Sequence, residues 1–283
     1  MTASSNPIIS QFGGEFDVEK SSQYRMAIQF SLDGLSFALL DAQAQRLIAY
    51  EGHPLQPSSD SSTLLRTLDK ALDSKGLSGK DFDSVTCIVD ERICALVPEP
   101  LFDDADKVKY LEFAFQIPNG YTTQAEELPS AQCHNVFAWS KALQDKLLAK
   151  WPKAKITHSS SLLIESAMQS ETGTGIFINV RRRDFDMVIK KDGKLFFFNN
   201  FKFNTKEDFS YFLLFAMEQN GFAGQDTPVR LSGLIQPDSE IMTLCGHYVK
   251  DFRIVEDPHK LQVSEALGNV PFQHYFIHYQ ALR

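Results

Sequence analysis

The chain has 283 residues, with 36 acidic against 28 basic side chains and a net charge of −8 at neutral pH. A chain of this length buries roughly three quarters of its unfolded surface and usually divides into two lobes. Its negative field repels phosphate backbones, which argues against nucleic acid as a partner. The four cysteines form no C-x-x-C pair and show no zinc-site spacing, which predicts buried, reduced thiols.

The N-terminal stretch is polar. Residues 1–22 are rich in Ser, Asn, Gly and acidic residues and lack the apolar segment of a signal peptide. No run in the chain approaches the ~20 apolar residues that span a bilayer. We therefore expect a flexible tail over 1–22, no membrane insertion and a cytoplasmic location.

The sequence that follows predicts a three-strand meander, a helix and a fourth strand. Asp33-Gly34 separates the first two apolar runs, and Ser61 or Ser62 stands at the N-cap position of a helix. The predicted elements are strands at 24–31, 35–40, 46–50 and 84–90 and a helix over 63–75.

The middle of the chain predicts alternating strands and helices up to a glycine-rich joint, Ser170-Glu-Thr-Gly-Thr-Gly175. Residues 117–130 are expected to form a loop. The other predicted elements are strands at 93–97, 133–138 and 155–158 and helices over 103–115, 140–151 and 160–169.

The second half opens with a hairpin signal, Asp192-Gly193 between two apolar runs. Thr205 and Asp208 have the spacing of a capping pair at the start of a helix. The predicted elements are strands at 175–180, 181–189, 195–198, 229–235 and 252–255 and helices over 205–220 and 238–249. Residues 256–283 could not be placed, since 271–281 is compatible with a helix or a strand.

The two halves share a pattern at an offset of 150 residues. Sliding 28–41 onto 178–191 aligns the apolar positions and sets Asp33 opposite Arg183 and Ser36 opposite Asp186. In both halves a meander is followed by a helix and then a strand. Two copies of one β-β-β-α-β unit are therefore predicted, in an N-terminal lobe over 23–174 and a C-terminal lobe over 175–283.

This layout resembles the actin-like ATPase superfamily, whose two lobes are duplicated ribonuclease-H-like units. More closely, the chain is similar to an uncharacterised bacterial, Bacteroidetes-type family with that fold, itself distantly related to the actin-like proteins of pili and cell division. The motifs that carry this likeness are Asn135-Val-Phe-Ala-Trp-Ser-Lys141, Trp151-Pro152 and Ile156-Thr-His158-Ser159. The resemblance implies an α/β fold over about residues 24–260, with Mg-ATP in a cleft between the lobes.

The resemblance also implies where the nucleotide would be held. Asp33-Gly34-Leu35-Ser36 looks like the first phosphate hairpin, D-x-G-[ST], with its glycine one place early. The second hairpin reads Val180-Arg-Arg-Arg-Asp184 and has no glycine, and Ser232-Gly233-Leu234 keeps one glycine of the adenosine motif. The implied cleft residues are Asp33, Gly34, Ser36, Arg181, Arg183, Ser232 and Gly233.

Several interpretations of these residues stay open. Arg181 and Arg183 are expected on one face of a strand, either as solvated charges neutralised by Asp184 and Asp186 or as a group reaching across the cleft to Asp33. Asp33 with Asp90-Glu91 could hold a metal, and Asp33 and Asp90 are the main candidates for that site. Phe196, Phe197, Phe198, Phe201 and Phe203 are covered either by the protein's own helix or by a partner.

The broken motifs predict a non-catalytic, cytoplasmic actin-like protein without a cofactor or catalytic residue, which binds an unidentified protein or itself. The alternative is an ATP-binding enzyme, an ATPase or kinase-like relative with rebuilt phosphate contacts for Mg-ATP. A metal-dependent nuclease comes third. Glycine loss separates the first two readings, because backbone approach to phosphate needs room that an arginine side chain denies.

Overall fold

The computed structural model describes residues 9–31, 34–55, 60–222, 226–256 and 261–283. The strands are β1 (Ile9–Phe12), β2 (Tyr24–Ser31), β3 (Gly34–Asp41), β4 (Arg46–Pro54), β5 (Ser84–Asp90), β6 (Cys94–Pro98), β7 (Tyr121–Leu128), β8 (Cys133–Ser140), β9 (Lys155–His158), β10 (Gly175–Val180), β11 (Asp184–Lys191), β12 (Lys194–Lys202), β13 (Val229–Gly233), β14 (Phe252–Ile254) and β15 (Gln262–Val263). The α-helices are α1 (Ser61–Ser74), α2 (Lys107–Glu112), α3 (Lys141–Lys150), α4 (Ser159–Gln169), α5 (Lys206–Gln219), α6 (Glu240–Gly246) and α7 (Phe272–Leu282).

The chain forms two compact units. The first comprises Met1–Leu162, His259–Val270 and His278–Arg283, and the second comprises Leu163–Pro258 and Pro271–Ile277. Most of α4 and the start of α7 thus belong to the second unit. The lobe boundary between residues 174 and 175 stays a prediction.

The main sheet of the first unit has the strand order β1-β4-β3-β2-β5-β9, with β15 beside β4. The β2-β3-β4 meander is antiparallel, whereas β2, β5 and β9 run parallel. Its core is apolar because alternate residues of β3, such as Leu35, Phe37 and Leu39, pack among the buried leucines of α1 and α3. A smaller sheet, β6-β8-β7, is covered by α2 through the buried Leu111.

The sheet of the second unit has the order β12-β11-β10-β13-β14. Its core is rich in phenylalanine and is covered by α5, on which Phe209 and Leu213 are fully buried. The Phe201 ring centroid lies 5.3 Å from that of Phe212, and that of Phe203 lies 5.5 Å from that of Phe209. The prediction that the protein's own helix covers these rings is therefore confirmed for Phe201 and Phe203.

The two sheets repeat one topology with one register. In the antiparallel ladders Ile28 faces Phe37 and Ile178 faces Met187, so both members of each pair differ by 150 residues. Each meander also has a register shift at the same place, after Leu39 in the first sheet and after Ile189 in the second. The predicted offset is thus confirmed in the hydrogen-bonding pattern.

The N-terminal prediction was wrong for residues 9–22. β1 pairs with β4, and a 3₁₀ helix at Val18–Gln23 is capped by Asp17, whose side chain accepts the Glu19 N–H. Residues 1–8 lie outside the described part. A flexible tail is therefore replaced by a short edge strand and a capped turn.

Three further predictions need correction. Residues 117–130 contain the strand β7, which sequence reasoning missed because its partly exposed residues lack a clear apolar alternation. The first α-helix is capped by Asp60, whose carboxylate accepts the Thr63 N–H at 2.8 Å, rather than by Ser61 or Ser62. The helix expected over 103–115 is a 3₁₀ turn followed by the six-residue α2.

The C-terminal segment that the sequence left unplaced forms α7. The predicted capping pair of α5 is confirmed, since Thr205 and Asp208 exchange side-chain-to-backbone hydrogen bonds. Within the described ranges, no helix combines the length and apolar character needed to cross a bilayer.

Candidate functional site

The carboxyl ends of the parallel strands of the first unit carry a buried polar cluster. Asp90 ends β5 and is almost fully buried. One of its carboxylate oxygens accepts the Ser159 hydroxyl at 2.7 Å and the other accepts the Gln29 amide at 2.9 Å. This end of a parallel sheet is where ligands bind in α/β folds. Here the two hydrogen bonds join β2, β5 and the start of α4.

Glu91 follows Asp90 and is half-buried. Burial, reinforced by the neighbouring Asp90 charge, raises the pKa of Glu91 to about 7. Its carboxylate accepts the Tyr121 hydroxyl at 3.3 Å, and burial together with the Glu91 charge raises the pKa of Tyr121 to about 12. Glu91 is therefore the acidic group of this cluster that can exchange a proton near neutral pH.

His158 and Ser160 form a close pair in the same cluster. The His158 Nδ1 lies 2.7 Å from the Ser160 hydroxyl, and its Nε2 lies 2.9 Å from the backbone carbonyl of Glu91. The carbonyl can only accept, so Nε2 carries the proton and Nδ1 accepts from the serine. Ser160 is fully buried and also accepts the Asn135 amide at 3.0 Å. This pair ties Ser160 to the sheet of the first unit and offers no exposed nucleophile.

In the first predicted phosphate hairpin, Gly34 has a packing role. Gly34 has φ +145°, and a Cβ there would lie 2.2 Å from the backbone oxygen of His53. Only glycine fits between β3 and β4 at this point. Asp33 lies outside the described residues, so a role for it in a metal or phosphate site stays a prediction.

Ser36 contacts the C-terminal helix. Its hydroxyl lies 3.0 Å from the His278 Nε2, and the His278 ring packs edge-on against Tyr50 at 5.4 Å. Burial lowers the pKa of His278 to about 4 and raises that of Tyr50 to about 12, so both side chains are neutral at pH 7. The serine that resembles a phosphate ligand is thus a partner of a buried neutral histidine.

The hairpin of the second unit holds an ion network. The Arg181 Nε pairs with Asp184, and its two Nη atoms make a two-point contact with Asp186 at 2.7 and 2.9 Å. The Asn200 amide donates to the same Asp186 carboxylate at 2.9 Å. The Arg181 side chain is only 14% exposed, so this is a largely buried network rather than solvated charge.

Two expectations about these arginines change. β11 begins at Asp184, so residues 181–183 form the turn and do not share a strand face. Arg182 and Arg183 are exposed. Asp184 and Asp186 neutralise Arg181 as one interpretation predicted, but in a largely buried network and not in solvent. The alternative contact of an arginine with Asp33 involves a residue outside the described part.

The third predicted motif closes the end of β13 onto β10. The Ser232 hydroxyl donates to the Asn179 side chain at 3.1 Å and to the Ile178 carbonyl at 3.3 Å. Gly233 has φ +87°, and a Cβ there would lie 2.1 Å from the Val180 carbonyl oxygen. The glycine is therefore required by strand pairing alone.

The structure gathers the predicted residues at one end of each sheet. In the first unit Ser31 pairs with Gly34 on one side and with Asp90 on the other, which sets them in a single row. In the second unit Val180 likewise pairs with Gly233, next to the Arg181 turn. Sequence reasoning missed the polar partners Gln29, Ser159, Asn179 and Asn200, because each comes from a different strand or helix.

No metal centre emerges from this arrangement. In the described ranges, no three His, Cys, Asp or Glu side chains converge as metal ligands would. Asp90 has both oxygens hydrogen-bonded within the protein. Its place in a metal site with Asp33 stays a prediction.

Comparisons with known proteins agree on the fold. A family model described as "protein of unknown function (DUF3822)" matches residues 13–252. A Bacteroides thetaiotaomicron protein with an actin-like ATPase fold and unknown function is 20% identical, with a TM-score of 0.75 over 86% of this chain and 94% of that one. No curated protein matches the chain.

Two more distant structures come from multiprotein machines. One is the PilM-PilN type IV pilus biogenesis complex, 10% identical, with a TM-score of 0.55 over 90% of this chain and 96% of that one. The other is the cytoplasmic domain of EpsL, an inner membrane component of the type II secretion system of Vibrio cholerae, 9% identical, with a TM-score of 0.50 over 92% and 94%. At these identities the likeness shows the actin-like fold alone.

Proposed function

We propose that this chain, which belongs to the DUF3822 family of proteins of unknown function and has the actin-like ATPase fold, is a non-catalytic protein. It acts as a cytoplasmic binding or assembly partner. It uses the fold as a scaffold and neither binds nor hydrolyses ATP. The proposal rests on what the polar residues of the two hairpins do.

The Arg181 network is the observation that carries this proposal. A hairpin that grips a phosphate presents unoccupied backbone N–H groups, and glycines give the anion room to approach. Here the turn contains no glycine, its one buried cation is matched by two carboxylates, and the Arg181 N–H donates to the Asp184 carbonyl at 2.8 Å. An incoming phosphate would have to displace both carboxylates and would meet their negative charge.

The first unit supports the same conclusion. Gly34 is required by the pairing of β3 with β4, and Ser36 serves the buried His278. Asp90 is held by Gln29 and Ser159. Each of these three groups of the first unit therefore has a packing or hydrogen-bonding role that needs no ligand.

The distant structural relatives make an assembly role reasonable. PilM is seen in a complex with PilN, and EpsL is a component of a secretion system. Both show an actin-like fold placed in a multiprotein assembly. For this chain the corresponding role is a proposal, with the partner unidentified.

Glu91 favours a second candidate, an ATP-binding enzyme with rebuilt contacts. A carboxyl with a pKa of about 7 at the carboxyl end of a parallel strand has the properties of a proton acceptor. Under this reading Glu91 would activate water or a substrate hydroxyl, and Glu91→Gln would abolish turnover without weakening Mg-ATP binding.

Isothermal titration of the full chain with Mg-ATP tests the proposal. We expect no binding heat and no phosphate release in a parallel turnover assay. A saturable heat signal would overturn the non-binding scaffold. Turnover lost in Glu91→Gln but kept in Glu112→Gln, an exposed acid of the same unit, would establish the enzyme instead.

A further inference from the structure

The outer strand of the second sheet is an open edge, although its counterpart in the first sheet is covered. β4 is paired on its outer side by β1, through residues Ala49–Gly52. Matching the registers of the two meanders aligns that stretch with residues 197–200 of β12. Among the described residues, no strand pairs with this side of β12. The position that β1 occupies beside β4 therefore holds no strand beside β12, within the part of the chain that the structure describes.

Backbone groups of β12 point out of the sheet at alternate residues. The Phe203 N–H donates to the Arg183 carbonyl at 2.9 Å, which fixes the hydrogen-bonded pairs of the ladder at odd-numbered residues of β12. The N–H and C=O groups of Phe198, Asn200 and Lys202 therefore face outward. The Asn200 N–H is bonded to its neighbour's Oδ1 at 2.9 Å, while those of Phe198 and Lys202 have no acceptor in the described ranges.

Positive charge stands at both ends of this edge. Lys194 and Lys202 open and close β12, both are exposed, and neither has an ion-pair partner within the described part of the chain. The Lys191 ammonium lies 4.9 Å from the centroid of the Phe196 ring, which is itself 49% exposed. These three lysines make this edge of β12 locally positive, although the protein has a net charge of −8.

The lysines argue against a second copy of this chain as the occupant. Parallel in-register self-pairing would set each lysine opposite itself, and antiparallel self-pairing would bring the Lys194 end of one copy to the Lys202 end of the other. Like charges directly opposite each other destabilise a strand pair. Exposed lysines disfavour such self-pairing along an edge, whereas carboxylates at the same positions would be attracted.

We infer that the open edge of β12 accepts an extended segment of a partner protein, which adds a strand as β1 does on β4. Because β12 has one extra residue at its bulge, its regular partner β11 spans the stretch from Lys194 to Lys202 with a separation of only seven, Asp184 to Lys191. The segment therefore carries carboxylates seven residues apart, with alternating apolar residues between them. Main-chain hydrogen bonds hold it, and the two charge pairs set its register. This inference deepens the proposed partner-binding role and rests on it.

A labelled synthetic peptide provides the direct test. It has Glu at two positions seven apart, alternating Val and Thr between them, and its binding to the full chain is followed by fluorescence anisotropy. A second peptide replaces both Glu by Lys. Two further versions carry backbone N-methyl groups along one edge or the other, which removes strand pairing from that edge without changing charge.

The protein variants separate local from general charge effects. Lys194→Glu with Lys202→Glu should weaken binding of the Glu peptide by at least about tenfold, since two charge pairs become repulsive. The matched control is Lys109→Glu with Lys141→Glu, which makes the same charge change on two exposed lysines of the first unit. The control should bind within about twofold of wild type, because these lysines lie outside β12.

Support requires saturable binding of the Glu peptide, loss with the Lys peptide, and loss when one peptide edge is methylated but not the other. The inference is overturned if the Glu peptide does not bind, if the two double variants weaken it equally, or if methylation of neither edge matters. Self-association that Lys194→Glu with Lys202→Glu alters would assign the edge to a second copy and also overturn it. Failure here leaves the Mg-ATP titration unaffected, so the two proposals fail separately.

Discussion

The two meanders have the same strand order, the same register and a bulge at the same place, yet their equivalent positions carry different chemistry. Gly34 corresponds to Asp184, Ser36 to Asp186 and Leu40 to Lys190. At these three positions the first sheet has a close backbone approach, a neutral hydrogen bond and an apolar side chain, whereas the second sheet has buried ionisable groups. One backbone arrangement therefore tolerates two solutions, provided that each buried polar group has a partner.

The largest expected effect is at the close approach between β3 and β4, which has no counterpart between β11 and β12. Gly34→Ala would bring a Cβ within 2.2 Å of the His53 oxygen at a φ of +145°. We expect the free energy of unfolding to fall by about 3 kcal/mol or more, measured by chemical denaturation.

Gly79→Ala is the matched control for this loss. Gly79 also has a positive φ, +69°, but a Cβ there meets nothing within 4 Å. Its cost should be only about 1–2 kcal/mol. An equal loss at both positions would show that backbone conformation, and not the contact between β3 and β4, explains the requirement for Gly34.

The next effect breaks the ion network of the Arg181 turn in the second unit. Arg181→Met keeps an unbranched side chain but leaves the carboxylates of Asp184 and Asp186 without their cation. We expect a loss of about 3 kcal/mol, because removing one partner leaves buried charge uncompensated.

Lys141→Met breaks an exposed pair with Asp145 and serves as the comparison, with an expected loss below about 0.5 kcal/mol. Urea denaturation of both variants gives the two losses under identical conditions. If Arg181→Met were as mild as Lys141→Met, the hairpin would not depend on its internal pairing and the proposed block to phosphate would lose its basis.

A smaller effect separates Leu40 from Lys190. Lys190 is buried and donates to the carbonyls of Ala167, Met168 and Ser170, at distances from 2.8 to 3.2 Å, and so caps the end of α4. Lys190→Met should cost about 2 kcal/mol because these carbonyls lose their donor. Leu40→Met, which conserves volume, should cost less than about 1.5 kcal/mol. Similar thermal stability of the two variants would contradict the capping role.

Two buried groups of the first unit should give opposite pH dependences. The pKa of His278 is lowered from 6.5 to about 4, so its contribution to stability is present above pH 6.5 and is lost as the pH falls toward 4. The pKa of Glu91 is raised from 4.5 to about 7, so its contribution is present below pH 4.5 and is lost as the pH rises through 7.

Single variants reveal these opposed slopes, each at most about 1.4 kcal/mol per pH unit. Relative to wild type, His278→Gln should lose less stability between pH 6.5 and 5, and Glu91→Gln should lose more. Denaturation midpoints over this range measure both slopes. Parallel curves for wild type and both variants would show that neither group titrates as its burial implies.

The sequence predicted most elements because their patterns are local. Apolar alternation located the first meander, and the Thr205–Asp208 spacing located the start of α5. β7 was not predicted because its residues are only partly buried, and β1 was not predicted because four residues give too short a pattern. α7 was not predicted because its own apolar residues lie on several sides of the helix, so they show no clear helical period.

The sequence predicted where the candidate site lies in the fold but not which side chains bond to one another there. Strand order brings the ends of β2, β5 and β10 to positions that the repeat implied, so Asp90 and Arg181 were found from the sequence. Their partners were not all accessible to such reasoning. Ser36 and His278 are separated by 242 residues, and Asp90 and Ser159 by 69. Contacts of this kind depend on tertiary packing, which residue spacing does not encode.

The central proposal is that the hairpin groups that could bind a phosphate are already bonded to other groups of the protein. The most direct test is the melting temperature of the full chain with and without saturating Mg-ATP. The account predicts the same melting temperature in both. A ligand present at about 100 times its Kd would add about 2.7 kcal/mol, which corresponds to a rise of roughly 5 °C or more for a chain of this size, and such a rise would contradict the account.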